Sequence, residues 1–113
     1  MEEYRGILEN DIQILAYGDS RYSIFAGEDI NRQEYQVRIE CVQDGFEVYT
    51  TRDRASVTGK YSFENFEDAR NKFIRLLKLM VLSNQEAVKE GEQPVYSSPL
   101  WDKKKDGAAL DMS

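Results

Sequence analysis

YQVRIECVQDGFEVYT, residues 35–50, has the period-two pattern of a strand, a turn and a returning strand. Tyr35, Val37, Ile39 and Cys41 fall on one side of the pattern and Gln36, Arg38 and Glu40 on the other, which describes a strand with one buried face in an antiparallel sheet. Asp44-Gly45 follows, a pair suited to a type I′ hairpin because both central residues of that turn need positive φ. Phe46, Val48 and Thr50 continue as the partner strand. Cys41 lies on the apolar side and is expected to be a buried thiol. As the only cysteine it has no internal disulfide partner.

Working toward the N-terminus, Tyr22, Ile24 and Ala26 alternate with Ser23 and Phe25 as another strand, and Gly27 opens a polar turn through Gln33. Before it, Tyr4, Leu8, Ile12 and Leu15 recur at helical spacing from Glu2 to about Tyr17, with Gly18 placed to supply a left-handed exit. Toward the C-terminus, TRDRASVTG (residues 51–59) reads as a polar loop and Lys60 to Phe63 as a short fourth strand. Asn65 can cap a long helix with Glu67 and Asp68 in its first turn and Arg70, Lys72, Arg75 and Lys78 further on, as the helix dipole favours. Its apolar stripe is Phe66, Ala69, Phe73, Leu76, Leu77 and Met80, and it should end between Ser83 and Glu90.

The expected fold class is therefore α+β: an antiparallel β-meander of three to four strands flanked by an N-terminal and a long C-terminal helix, in the order α-β-β-β-β-α. Both helices should lie on one face. Residues 1–90 form the single expected domain, and residues 91–113, with their prolines, serines and lysines, an extended arm frayed after about residue 106.

Composition narrows the function. At 113 residues with thirteen aromatics, the chain can fold without staples, and no apolar run approaches the ~20 residues of a membrane span. MEEYRGILEN has no basic start followed by an apolar stretch, so a cytoplasmic protein is expected. The absence of histidine removes the commonest general base and metal ligand, and no phosphate loop, nucleophile motif or metal spacing is present. We therefore expect no enzyme, cofactor or metal. A carboxylate-based enzyme stays open only if two acids converge in an apolar pocket. Net charge −6 argues against nucleic acid and membrane as ligands and favours a basic protein partner.

The acidity is uneven. Seven acids and two bases precede residue 32, leaving −5 of the −6 there. Within that third, Glu28 and Asp29 are candidate partner contacts, though a solvated face uses the same residues. Arg52, Asp53 and Arg54, near Tyr49 and Tyr61, form a charged cluster with aromatics that fits either a binding site or an internal bridge. Lys72, Arg75 and Lys78 fit a solvated helix face better than a phosphate site. Trp101 either plugs the core or anchors a partner.

FEVYTTRDRASVTGKYSFENFEDARNKFIRLL and the later PVYSSPLW resemble small bacterial immunity proteins encoded beside polymorphic toxins, in particular the TriTu immunity proteins. The likeness runs from about Tyr35 to Trp101, and its most specific parts are Asp53-Arg54-Ala55-Ser56 and Ser98-Pro99-Leu100-Trp101. It implies an antitoxin that binds one cognate toxin domain, 1:1, and blocks its active site. For TriTu-like proteins that toxin would be an ADP-ribosyltransferase delivered by type VI secretion. A small acidic inhibitor of a nucleic-acid enzyme, of phage or plasmid type, is the alternative that size and charge also fit.

If the acidic N-terminal third steers a basic partner, Glu28→Gln with Asp29→Asn lowers the association rate several-fold and leaves the folded state intact. Stopped-flow association over a salt series checks this; a rate indifferent to both changes removes the steering role.

Overall fold

The polar side of the central hairpin is buried as deeply as its apolar side, and the layers follow from that. The structure is a computed structural model and describes residues 2–27 and 30–102. Its order is α1 (Glu2–Leu15), β1 (Tyr22–Ile24), β2 (Val37–Val42), β3 (Gly45–Thr51), β4 (Val57–Phe63) and α2 (Phe66–Lys89), with a short 3-10 turn at Asp53–Ala55. The strands form one sheet in the order β1-β2-β3-β4. This is the α+β order read from the sequence.

The sheet is mixed, which corrects the expected all-antiparallel meander. β1 runs parallel to β2, with Tyr22 beside Val37 and Ile24 beside Ile39, while β2–β3 and β3–β4 are antiparallel. Parallel neighbours need a crossover of about a dozen residues, and residues 25–36 supply one. Its described residues contain no helix. Phe25 packs on the apolar core, and the contacts of Gly27 and Ile30 with the other face are polar.

Both helices pack on one face. Leu8 and Ile12 of α1 and Phe66, Ala69, Phe73 and Leu77 of α2 share a core with Ile24, Val37, Ile39, Phe46 and Val48. Tyr4 stacks on Phe66 at 4.0 Å between ring centroids, and Arg70 Nε and Nη2 donate to the two Asp11 carboxylate oxygens at 2.8 and 2.9 Å, tying the helices together. Asn65 caps α2, its side chain accepting from Asp68 N at 2.9 Å, a contact of about 1 kcal/mol.

The opposite face carries Gln36, Arg38, Glu40, Tyr49 and Thr51, all buried. Arg38 Nε donates to Tyr49 Oη and Nη1 to Gln36 Oε1. Nη2 reaches the carbonyls of Gly27 and Ile30 and Glu40 Oε2, and every contact lies between 2.7 and 3.1 Å. Glu40 Oε1 in turn accepts from Gly27 N. The crossover is thus bonded to a buried guanidinium and its carboxylate. A polar face that the alternation marks as solvated is an internal network instead.

Four local expectations change. Cys41 is exposed, not buried, because β1 ends opposite Ile39 and leaves Cys41 without a strand on that side. The hairpin turn is Gln43-Asp44, since Val42 pairs with Gly45, and neither turn residue has positive φ. Gly45 instead begins β3, where a Cβ would sit 2.1 Å from the Phe63 carbonyl oxygen. β4 starts at Val57, so the polar loop shrinks to residues 52–56, and the ladder shifts register between Val48 and Thr50 beside Gly59, which has the positive φ (+51°) of a bulge glycine. The left-handed exit of α1 is Ala16 at φ 61° and not Gly18.

Past α2 the chain turns back. Gly91 N and Glu92 N bond to the Val88 and Ala87 carbonyls, the Schellman closure. Residues 95–102 then strap α2 to the α1–β1 connection. Tyr96 Oη accepts from Arg21 N at 2.7 Å, Ser98 Oγ donates to the Asp19 carbonyl at 3.0 Å, and Val81, Tyr96 and Trp101 form a second core. The frayed end expected beyond Asp106 lies outside the described residues.

Arg38→Ala strands Glu40 as a buried carboxylate without its cation and is expected to cost about 3–5 kcal/mol. Urea unfolding of the variant measures it. A loss below about 1 kcal/mol would mean that water readily replaces the guanidinium.

Candidate functional site

Between β3 and β4 the chain must reverse within a few residues, and it does so with two consecutive non-glycine residues in the left-handed region. Arg52 N donates to the Ser56 carbonyl at 2.8 Å and Ala55 N to the Arg52 carbonyl at 2.9 Å. Closing so short a loop puts Arg54 at φ 58°, ψ 25° and Ala55 at φ 58°, a strain on the order of 1 kcal/mol or more for each. The turn is held from outside. Arg54 N donates to Glu34 Oε2 at 2.7 Å, and Tyr35 Oη donates to Asp53 Oδ1. The polar bonds thus fix the backbone and leave the arginine side chains exposed.

This turn forms one wall of an open groove of about 730 Å³. Tyr35, Arg52, Asp53 and Ser56 line that wall, Leu76, Leu79, Met80 and Ser83 of α2 line the other, and Val95 of the strap closes one side. Leu79 and Val95 remain 52% and 42% exposed. Thr50, Thr51 and Asn84 complete the lining. A charged, backbone-fixed rim facing an apolar helix wall has the composition of a protein contact. Among the described residues no group of three or more His, Cys, Asp or Glu is placed to hold a metal ion, and no helix of the structure is long and apolar enough to cross a membrane.

The residues singled out from the sequence separate. Arg52, Asp53 and Arg54 are exposed together on the turn, and Asp53 bonds to Tyr35 rather than bridging to an arginine. Tyr49, proposed for the same cluster, is fully buried against Arg38. Its place opposite Arg38 in the ladder puts it on the covered face, out of reach of a surface partner. Tyr61 is 45% exposed but lies farther along β4, with Lys72 Nζ 4.0 Å from its ring centre. Trp101 is buried, its indole N–H donating to the Tyr96 carbonyl at 2.7 Å, so of its two readings the structure has the core plug. Glu28 and Asp29 lie outside the described residues.

Lys72, Arg75 and Lys78 do not form one stripe. Lys72 turns toward Tyr61, while Arg75 and Lys78 line a second groove, of about 690 Å³, with Ile14, Ile74 and Arg70. Leu79 and Leu82 were not singled out from the sequence. Both fall off the apolar stripe of α2 and stay more than half exposed, so apolar residues on the wrong side of an otherwise regular helix were the available signal.

Tyr35 titrates above its ordinary value of 10.0, first because its hydroxyl donates a hydrogen bond to the Asp53 carboxylate and then because of partial burial. The folded value is raised, so the bond is fully present below pH 10 and is lost as pH rises past the folded value. Absorbance titration should show late phenols, one of which Tyr35→Phe removes while Tyr96, raised by burial, remains. At neutral pH, amide exchange at Arg54 should be faster in that variant than in the parent at the same pH.

No curated protein matches the chain, and no solved structure matches it. The family described as Immunity protein 59 matches residues 1–102, which takes in both helices, the sheet, the strained turn and the strap. The chain belongs to the Immunity protein 59 family.

Proposed function

We propose that the chain is a cytoplasmic antitoxin that binds one cognate toxin domain, 1:1, and blocks its active site. The observation that carries this is the turn at residues 52–56: a strained, externally braced loop that projects Arg52 and Arg54 beside an apolar groove. Strain of this kind persists where surrounding structure holds it, and it concentrates at functional positions. Membership of an immunity family supplies the class of partner. A short turn held rigid by bonds from outside is a feature that can enter a catalytic cleft with little loss of entropy. The likeness to TriTu proteins at Asp53-Arg54-Ala55-Ser56 supports an ADP-ribosyltransferase toxin delivered by type VI secretion as the target.

The test is co-expression with the adjacent gene. The neighbouring product should be toxic alone, harmless with this chain, and recovered with it in a complex burying about 1,600 Å² in total. Arg54→Ala should then cost on the order of 2 kcal/mol in affinity with little change in melting temperature. A melting drop of several degrees with unchanged affinity would assign Arg54 to the fold. A neighbour that is neither toxic nor bound ends the immunity reading.

A further inference from the structure

The groove does not stop at Ser83. Leu79, Ser83, Glu86 and Glu90 follow one another at spacings of four, three and four, which places them on one stripe of α2. A second hollow of about 390 Å³ is lined by Ser83, Glu86, Ala87, Glu90 and Glu92, so Ser83 belongs to both. The Schellman closure brings Glu92 back against the helix end, its N–H on the Ala87 carbonyl at 2.7 Å. Joined at Ser83, the two hollows form a channel along α2 from the apolar wall of Leu76, Leu79 and Met80 to an acidic mouth. From Leu76 to Glu90 it extends about 21 Å at ~1.5 Å per residue of helix, the length of about six extended residues.

The acids at the mouth run against the interests of the fold. Glu86, Glu90 and Glu92 are all exposed, and none pairs with a cation of the described residues. They sit at the carboxyl end of a 24-residue helix, where the dipole favours cations and disfavours carboxylates. Lys89 alone follows that rule in the last turn. The N-terminus of the same helix obeys it, with Asn65 as cap and Glu67 and Asp68 in the first turn. Likewise, Leu79 and Val95 expose apolar surface along the groove that folding leaves unburied. Each choice is unfavourable to the isolated chain, and a basic, apolar ligand would reverse each.

We infer that the toxin lays a short amphipathic segment along this channel, with an apolar side chain between Leu79 and Val95 and lysine or arginine at Glu86, Glu90 and Glu92. The inference rests on the immunity reading and names the surface and the chemistry of the contact. A basic segment matches the acidic mouth and the net charge of −6. The Arg52–Arg54 turn stands at the opposite wall, so the segment and the turn would engage one continuous face of the toxin.

The deciding measurement uses the full chain and its cognate toxin domain. Glu86→Gln, Glu90→Gln and Glu92→Gln together should weaken binding about tenfold or more and flatten its salt dependence, while raising the melting temperature, since carboxylates leave a helix carboxyl end. Leu79→Ser should weaken binding by a similar factor and keep the fold, because the side chain is half exposed. A control far from the channel and outside the acidic N-terminal third, Asp44→Asn with Glu64→Gln, both exposed, should leave affinity within about twofold. If the parent binds and both channel variants bind as it does, the channel is not the contact and the immunity reading stands. If the parent itself neither binds nor protects, both fall. A parent that sediments as a dimer which Leu79→Ser dissolves would give the channel to a second copy of this chain and overturn the inference.

Discussion

Arg38 has no exposed surface, and the layering of the sheet depends on its guanidinium. A buried cation costs several kcal/mol unless it is paired and its donors are met. Here Glu40 supplies the charge, Tyr49 and Gln36 supply side-chain acceptors, and two carbonyls of the crossover supply the rest. Those carbonyls could have been satisfied by water. Bonding them to Arg38 instead fixes Gly27 and Ile30 over the sheet, on the connection that brings β2 back parallel to β1.

The two faces of the sheet are consequently closed by different physics. Helices α1 and α2 cover one through apolar burial, which is tolerant of exact geometry. The crossover covers the other through directional hydrogen bonds, which are not tolerant. With β2 and the middle of β3 covered on both sides, β4, the loops and the outer side of the longest helix are left to meet a partner. The groove lies there, at the junction of the β3–β4 turn, the outer side of α2 and the strap.

The strap explains why, of the two stretches singled out from the sequence, one is exposed and the other largely buried. Ser98-Pro99-Leu100-Trp101 reaches Asp19 and Tyr96 and seals the second core, so its chemistry is spent on the fold. Asp53-Arg54-Ala55-Ser56 is fixed through its backbone and one carboxylate, which leaves its arginine side chain outward. The same strap places Val95 on the groove, so folding of the arm completes the surface as well as the core.

Residue order alone determined the helices and the central hairpin. Leu8 and Ile12, and Phe66, Ala69, Phe73 and Leu77, recur at helical spacing and form the core, and the alternation from Val37 to Thr50 is the ladder of β2 and β3. The turn at Arg52–Arg54 was also legible as a candidate, because charge and aromatics cluster there. Periodicity reports which residues share a face and is silent on what covers that face. Gln36, Arg38 and Glu40 alternate as a solvated row would, yet the crossover buries them; Cys41 alternates as a core residue would, yet β1 ends before it. Tyr49 is buried and the channel beside Leu79 is open for the same reason. Each depends on a segment distant in sequence, brought across by the bonds of Arg38 or by the strap, and contacts of that range are set by tertiary packing rather than by local pattern.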